Sequence, residues 1–299
     1  MKKLILAFLL FSAFCIGKFS EREMLILPSA NEGGGIFFNV VTVLGFLRYC
    51  EKNKIDSFAV NYQEGGLYYE SPLGPNWWHY FFEPIHQESW GQKIARFLRL
   101  NHPSTVSQRQ IAFFNYDGEY YLSRQKAHAL ISKYIRVKPE IAQEIEAFRT
   151  EHFAHSFVIG VHYRGTDKYT EAPEVEFERV KGAIEAVIAD HQHSSIKIFV
   201  ATDTQKFIDY ISPAFPGQII TTKATRSTNG KPLHYGIENK EELYHYRQGK
   251  ETIIDALLLS HTDILIRTSS NLSLCSSFFN PHLPVIELNK KHAMERQVK

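Results

Sequence analysis

The second half of the sequence alternates between short apolar runs and segments with helical periodicity, and this alternation restricts the fold more than any other feature. The apolar runs have the length and composition of buried strands. The predicted strands cover residues 157–161, 196–204, 218–222, 262–271 and 284–288, and the predicted helices cover 175–190, 207–215 and 251–261. Strands that alternate with helices form parallel sheets covered by helices, so we expect a doubly wound α/β domain.

The first half begins with the same kind of unit. An apolar run at residues 24–27 is followed by three glycines and then by apolar residues at helical spacing, namely Ile36, Val40, Val43 and Leu44. A further apolar run follows this predicted helix. The order of strand, loop, helix and strand predicts a βαβ unit.

The length of the chain allows two such domains. At 299 residues, the sequence can form two compact cores. We place an N-terminal Rossmann-like domain at residues 22–150 and a C-terminal one at residues 151–299. An amphipathic helix predicted at residues 136–153 would connect them.

The N-terminus has the layout of a secretory signal. Two lysines precede an apolar run at residues 4–17, and charged residues follow it. The run is shorter than the roughly 20 apolar residues that span a bilayer. We expect residues 1–18 to be a signal peptide or a short membrane anchor, with a buried helix as the alternative. Export, or residence in the lumen of the secretory pathway, would follow.

The composition excludes several classes of function. A formal net charge of +2 is too small for a general nucleic-acid-binding protein, which normally has a basic face or run. The three cysteines, Cys15, Cys50 and Cys275, are too few and too far apart for a disulfide framework or a zinc cluster. Any anion that binds must therefore meet a local site.

Three predicted strands of the second half end in polar or ionisable residues. These ends are HYRGTDK at residues 162–168, ATDT at 201–204 and RTSSN at 267–271. Parallel strands place their carboxyl ends along one rim, and open α/β sheets bind ligands there. The sequence therefore predicts a binding site where these three ends meet.

Arginine and small polar residues at these ends suit a phosphate. Arg164 follows its strand closely, so its planar guanidinium would be held at the rim; the alternative is an ion pair with Asp167 or Asp203. Gly165 would let a ligand approach the backbone. Ser269, Ser270 and the amides after them would bind phosphate oxygens if a helix begins at residue 271.

Three further residues have both a functional and a structural interpretation. His162 would read a ligand at the strand end or would be a core histidine. Asp255 interrupts an apolar run, and a buried carboxylate needs a partner such as the two adjacent N–H groups of guanine, or a lysine. Glu171 would be a general base, or a helix-capping acid.

Two segments of the first half are candidates for the acceptor side. Gly33, Gly34 and Gly35 lie where a strand leads into a helix, so their backbone amides would meet an anion or a sugar; the alternative is a flexible turn. Trp77 and Trp78 belong to an aromatic cluster that would line a sugar-binding face or would attach a loop to the core.

The motifs of the second half resemble a known superfamily. GVHYRGTDKYTEA, FVATDT and the pair IIDALLLSHTDIL and IRTSSN are similar to three motifs shared by alpha-1,6-fucosyltransferases, bacterial nodulation fucosyltransferases and protein O-fucosyltransferases. The similarity extends over residues 158–271. It implies a GT-B architecture, in which two Rossmann-like domains face a cleft and the C-terminal one holds most of GDP-fucose.

The resemblance also implies roles for individual residues. Arg164 corresponds to the arginine that binds the diphosphate, and Glu171 to the proposed base. The residues that correspond to donor binding, or lie beside those that do, are His162, Arg164, Gly165, Asp167, Lys168, Asp203, Asp255, Thr268, Ser269 and Ser270. Among them, His162 and Asp255 would read the guanine, and Ser269 and Ser270 would contact phosphate.

The chain departs from the alpha-1,6 pattern in two places. Gly165 stands where that group has a second arginine, and the loop to Glu171 is one residue shorter. Both departures concern the acceptor and the base rather than the nucleotide. No Asp-x-Asp pair is present to grip a divalent ion, so we expect no metal or other cofactor, and neutralisation of the diphosphate by protein groups.

These observations predict an inverting transfer of fucose from GDP-fucose to a hydroxyl of a glycan or glycoconjugate. The first alternative is an inactive glycan- or nucleotide-binding protein on a transferase scaffold. The second is a phosphoester hydrolase that uses His162 and Asp167, although no metal-ligand spacing supports it.

Overall fold

The computed structural model describes most of the chain. The described residues are 25–28, 34–63, 66–87, 90, 93, 104–105, 122–166, 172–191, 195–233 and 242–289. The predicted signal or anchor segment at residues 1–18 lies outside them. Within the described ranges, no helix has both the length and the apolar character needed to cross a membrane.

The first sheet is built from the N-terminal half. Its strands are β1 (Leu25–Pro28), β2 (Phe58–Asn61), β3 (His86–Gln87) and β4 (Ser104–Thr105). They are ordered β3-β2-β1-β4, with β1 parallel to β2 and β4, and β3 antiparallel to β2. The predicted βαβ unit is therefore present, with β1 and β2 as its parallel strands.

The described part of the first half also contains four helices with defined bounds and a 3-10 turn. They are α1 (Ile36–Lys52), the 3-10 turn Ser71–Leu73, α2 (Trp78–Phe81), α3 (Arg124–Tyr134) and α4 (Pro139–His152). The residues that predicted α1 by their spacing are all buried in it. Proline at the first position of α4 suits a helix start, because the amide it lacks would have had no partner there.

The second sheet is parallel throughout. Its strands are β5 (Phe157–Tyr163), β6 (Ile196–Thr202), β7 (Ile219–Ile220), β8 (Ile264–Arg267) and β9 (Val285–Glu287), ordered β7-β6-β5-β8-β9. β5 is central, and its register pairs His162 with Ala201 on one side and with Arg267 on the other. The three polar strand ends thus lie side by side.

Helices cover both faces of this sheet. They are α5 (Phe177–Asp190), α6 (Gln205–Ile211) with the 3-10 turn Ser212–Ala214, α7 (Tyr244–Ser260) and α8 (Asn271–Phe279). α5 and α6 pack on one face, in an apolar cluster with Ile159 and Val161. α7 and α8 share a second apolar cluster with α1, to which Val40, Leu258 and Cys275 belong.

Some element boundaries differ from those predicted. α7 begins at residue 244 rather than 251, because its first turns carry polar and aromatic residues whose periodicity is weak, although Tyr244, Gln248 and Gly249 are buried. β7 is two residues long, and β8 ends at Arg267. The polar residues that follow β8 start a helix, since Ser270 caps α8.

The assignment of Trp77 and Trp78 to a sugar-binding face is wrong in this structure. The two residues are only 1% and 0% exposed. Their rings pack against Tyr62, at centroid distances of 4.9 and 5.8 Å, so their faces are covered by protein. The alternative, a loop attached to the core by its aromatic residues, is the one observed, because burying rings of this size stabilises more than leaving them exposed.

Candidate active site

The loop after β5 is organised by one carboxylate. Asp203 accepts hydrogen bonds from the Gly165 amide at 2.9 Å and from the Thr166 hydroxyl at 2.6 Å, and its Oδ2 lies 3.0 Å from Nε of Arg164. The side chain of Asp203 is 10% exposed. The ion pair left open as an alternative is therefore present, and Asp203 positions the loop; its contact with a donor stays a prediction.

Gly165 has a packing reason of its own. A Cβ at this position would come within 2.8 Å of both the Tyr163 ring and Cγ2 of Thr204. Contacts this short require neighbouring atoms to move. A larger residue at 165 therefore conflicts with the packing of Tyr163 and Thr204.

The end of β8 is tied to the same loop. Thr268 accepts a hydrogen bond from the Arg164 amide at 2.9 Å, and its own amide donates to the His162 carbonyl at 3.0 Å. The hydroxyl of Ser270 accepts from the Leu272 amide at 3.2 Å. The first turn of α8 therefore begins beside Arg164, where its dipole favours an anion.

Asn289 is a site residue that the sequence analysis missed. Its Oδ1 accepts from the Ser269 amide at 2.7 Å, and its Nδ2 donates to the Pro173 carbonyl at 2.6 Å. Ser269 therefore does not offer this amide to a phosphate while the bond persists. An asparagine just beyond the last strand carries no signal in the sequence, because its role depends on two segments that meet only in the folded chain.

A pocket opens between these elements. The hollow measures about 350 Å³ when the open solvent at its mouth is included, and its cavity volume proper is about 20 Å³. Its walls include Arg164 and Gly165 on one side, Thr268 and Ser269 on another, and Pro173 and Glu174 on a third. A guanidinium and a helix N-terminus beside one hollow suit a phosphorylated ligand.

His162 is buried near Arg164 but does not line this pocket. Burial is the main cause that lowers the pKa of His162 to about 3, and the charges of Arg164 and Arg267 add to it. The imidazole is therefore neutral. Its Nδ1 is buried and has no hydrogen-bond partner among the described residues.

Asp255 lies on α7, also outside the walls of the pocket. The residue is 6% exposed, and its Oδ1 accepts from the Thr222 hydroxyl at 2.7 Å. Burial raises the pKa of Asp255 to about 7, against the lowering effects of Thr222 and Arg226. Within the described residues no lysine pairs with this carboxylate, and its hydrogen-bond donor is the Thr222 hydroxyl; guanine as a further partner stays a prediction.

Four of the candidate residues lie outside the described residues: Gly33, Asp167, Lys168 and Glu171. Gly34 and Gly35 are described, and their carbonyls accept from Asn39 Nδ2 at 2.9 and 3.1 Å. These two hydrogen bonds fix the turn into α1. Within the described part of the chain, no group of three His, Cys, Asp or Glu side chains is arranged to hold a metal ion.

Comparison with known proteins identifies the family. The sequence profile of nodulation protein Z (NodZ) matches residues 36–294, which is most of the chain. The chain belongs to the nodulation protein Z family. Nodulation protein Z of Sinorhizobium fredii is 27% identical over 253 residues, which cover 78% of this chain and 70% of that protein.

Other members of the nodulation protein Z family match over less of their length. The protein of Bradyrhizobium diazoefficiens is 26% identical over 175 residues, which are 55% of this chain and 46% of that protein. The matched region thus spans under half of that relative.

Solved structures of nodulation protein Z show the same fold. NodZ alpha-1,6-fucosyltransferase soaked with GDP-fucose has a TM-score of 0.59 at 18% identity, covering 89% of this chain and 94% of that one. Fucosyltransferase NodZ from Bradyrhizobium has a TM-score of 0.57 at 18% identity, covering 90% and 98%. The predicted α/β, GT-B-like fold is confirmed.

Proposed function

We propose that this chain is a glycosyltransferase that moves fucose from GDP-fucose to a hydroxyl of a glycan or glycoconjugate. The observation that carries the proposal is the position of Arg164, which lines a pocket together with Thr268 and Ser269, the residues that lead into α8. Membership of the nodulation protein Z family supports it. So does the description of a solved NodZ as an alpha-1,6-fucosyltransferase soaked with GDP-fucose.

In this mechanism, residues 151–299 hold the donor and residues 22–150 face the acceptor. Arg164 and α8 stabilise the negative charge that develops on the departing GDP, because preorganised charges act most strongly where charge appears. His162 and Asp255 bind the guanine. Glu171 removes the proton of the acceptor hydroxyl, a contribution of about 10² to 10⁴-fold, and the sugar carbon is inverted.

A calorimetric titration with GDP, UDP and CMP tests base and phosphate recognition together. GDP should bind tightest, and its affinity should be the same in magnesium and in EDTA, because protein groups neutralise the diphosphate. Arg164→Ala should weaken GDP binding at least about 100-fold. Arg179→Ala removes an exposed arginine on α5 and should leave GDP affinity unchanged. Equal affinity for the three nucleotides would contradict the proposal.

Turnover separates a transferase from an inactive binding protein. GDP-fucose is incubated with a panel of oligosaccharides, and the anomeric configuration of the product is determined by NMR. The product should be inverted relative to the donor. Glu171→Gln should lower transfer by about 10² to 10⁴-fold while GDP affinity is retained. GDP binding without transfer to any member of the panel would favour the inactive alternative.

The N-terminal segment belongs to the same proposal. Residues 1–18 would direct export, either as a cleaved signal or as an anchor. N-terminal sequencing of the protein purified from its source cell checks this, because a cleaved signal gives a new N-terminus near residue 18. A full-length protein in the soluble cytosolic fraction would contradict both forms.

A further inference from the structure

The side chain of Asn289 links two walls of the pocket beside Arg164. Its Oδ1 accepts a hydrogen bond from the Ser269 amide at 2.7 Å, and its Nδ2 donates to the Pro173 carbonyl at 2.6 Å. Ser269, Pro173 and Asn289 all line that pocket. Ser269 precedes Asn289 by 20 residues and Pro173 precedes it by 116, so the carboxamide joins segments that are distant in the sequence.

Asn289 is supported by the sheet. It follows β9, and the amide of the residue before it, Leu288, donates to the Arg267 carbonyl of β8 at 2.9 Å. The wall that Nδ2 binds is also held from β5, because the Tyr163 hydroxyl donates to the Val175 carbonyl at 3.0 Å. A side chain supported in this way can hold its partners in a fixed geometry.

Three hydroxyl groups follow β8, and within the described part of the chain only that of Ser269 is not used. The Thr268 hydroxyl accepts from the Arg164 amide, and the Ser270 hydroxyl accepts from the first turn of α8. The Ser269 hydroxyl makes no hydrogen bond to a described residue, although Ser269 is buried and lines the pocket. Because Asn289 occupies the Ser269 amide, this hydroxyl is the group that Ser269 offers to a ligand.

We propose that Asn289 is a positioning residue for the GDP-sugar: it holds Ser269 so that the Ser269 hydroxyl donates a hydrogen bond to the diphosphate beside Arg164. The proposal rests on the proposed function, because it takes a nucleoside diphosphate as the ligand of this pocket. The two ends of the carboxamide act together. Nδ2 has an acceptor in the Pro173 carbonyl, and this bond keeps Oδ1 turned towards the Ser269 amide.

Positioning matters here because a serine hydroxyl is short and depends on its backbone for direction. A hydroxyl whose backbone is already fixed loses little conformational freedom when it binds an anion. Without Oδ1 the Ser269 amide loses its acceptor, and the backbone can turn towards the anion or towards water. Asn289 thus decides which group of Ser269 meets the phosphate, and it acts only through Ser269.

A double-mutant cycle tests this coupling. GDP affinity is measured by calorimetry for the wild type, Asn289→Ala, Ser269→Ala and the double variant. Ser269→Ala keeps the backbone amide and removes only the hydroxyl, so it should weaken GDP binding at least about tenfold in the wild type. In the Asn289→Ala background the same substitution should cost less than about threefold in affinity. An equal cost in both backgrounds overturns the inference.

Asn289→Asp restores the part of the side chain on which the inference depends. Its carboxylate, whichever way it turns, still accepts from the Ser269 amide but cannot donate to the Pro173 carbonyl. The added negative charge lowers GDP affinity overall, so only the cost of Ser269→Ala is compared. That cost should return to at least about tenfold. A cost as small as in Asn289→Ala would mean that Oδ1 does not position Ser269, and the inference fails.

The matched control is Asn280→Ala, at the opposite end of α8. Asn280 also accepts from an amide, that of His282 at 3.2 Å, and donates to a carbonyl, that of Ser260 at 3.0 Å. Asn280→Ala should leave GDP affinity at the wild-type value, and Ser269→Ala should keep its full cost in that background. A reduced cost there would show that any loosening of α8 has the same effect, and would overturn the inference.

The outcomes separate this inference from the proposed function. If Arg164→Ala weakens GDP binding and Ser269→Ala does not, the inference is overturned and the proposed function stands. Wild-type protein that does not bind GDP defeats both. If Asn289→Ala shows no cooperative thermal transition, Asn289→Leu takes its place in the cycle with the same expected costs, because leucine keeps the side-chain volume and removes both hydrogen bonds.

Discussion

Replacing Asp255 with Asn should stabilise the protein at high pH. The carboxylate is buried on α7 with a hydrogen bond from the Thr222 hydroxyl, and burial raises its pKa from 3.8 to about 7, with Glu251 adding to the rise and Arg226 opposing it. Asparagine has the same shape and still accepts from Thr222. It removes only the charge, whose burial is the unfavourable part.

The magnitude follows from the pKa. Each tenfold change in an ionisation constant is worth about 1.4 kcal/mol, so a rise from 3.8 to about 7 corresponds to about 4 kcal/mol. The folded protein holds this proton more tightly than the unfolded chain. The free energy of unfolding of the wild type therefore falls as pH rises from about 4 to about 7, and Asp255→Asn lacks this fall.

Urea unfolding at pH 5 and pH 8 measures the effect. The stability of Asp255→Asn relative to wild type should increase by about 2 to 3 kcal/mol between these two pH values, because the remainder of the change occurs below pH 5. The control, Asp209→Asn, makes the same chemical change at an exposed position on α6 and should show no such increase.

The reasoning would be refuted by a difference that stays constant with pH, or by a variant less stable than wild type at pH 8. Either result would mean that the carboxylate is well paired rather than poorly solvated. GDP titration adds a second result: if Asp255 reads guanine, the stabilised variant should bind GDP about tenfold more weakly. Stability and binding would then change in opposite directions, as is common at functional sites.

Three further substitutions, one of them with a matched control, test the packing around the site. Gly160→Ala would bring a Cβ within 2.6 Å of Thr262 Oγ1 and should lower the free energy of unfolding in urea by about 1 to 3 kcal/mol. The control, Gly182→Ala, has open space around it in a helix and should raise that free energy by up to about 1 kcal/mol. Equal effects of the two substitutions would contradict this reasoning. Ser270→Ala removes the N-cap of α8 and should lower the free energy of unfolding by about 1 kcal/mol. An unchanged free energy of unfolding would contradict the assignment of Ser270 as the cap. Asp203→Ala removes the acceptor of three loop interactions and should lower stability by about 1 to 3 kcal/mol. An unchanged melting temperature would show that the loop does not depend on Asp203.

The strands and most helices of this chain could be predicted because they depend on local patterns. Apolar runs such as residues 157–161, and helical spacing such as Ile36 and Val40, are properties of neighbouring residues. The first turns of α7 were missed because they depend on tertiary contacts rather than on a local pattern. These turns bury Tyr244 and Gln248, and the spacing of apolar residues in this segment does not predict that burial.

The location of the candidate site could be predicted from the sequence, but the contacts of its individual side chains could not. The convergence of three polar strand ends follows from parallel topology, and so Arg164 and Thr268 were expected at one rim. The state of each side chain was not predictable. Asp203 proved to bind the loop after the neighbouring strand β5, and Asn289 joined the site from beyond the last strand.

The sequence by itself determined the alternation of strands and helices and the chemistry present at the strand ends, because both are written in residues close together along the chain. Only the tertiary structure decided that Trp77 and Trp78 are core residues and that Arg164 pairs with Asp203. Burial and hydrogen-bond partners arise from contacts between residues far apart in the sequence, and such contacts exist only after the chain has folded.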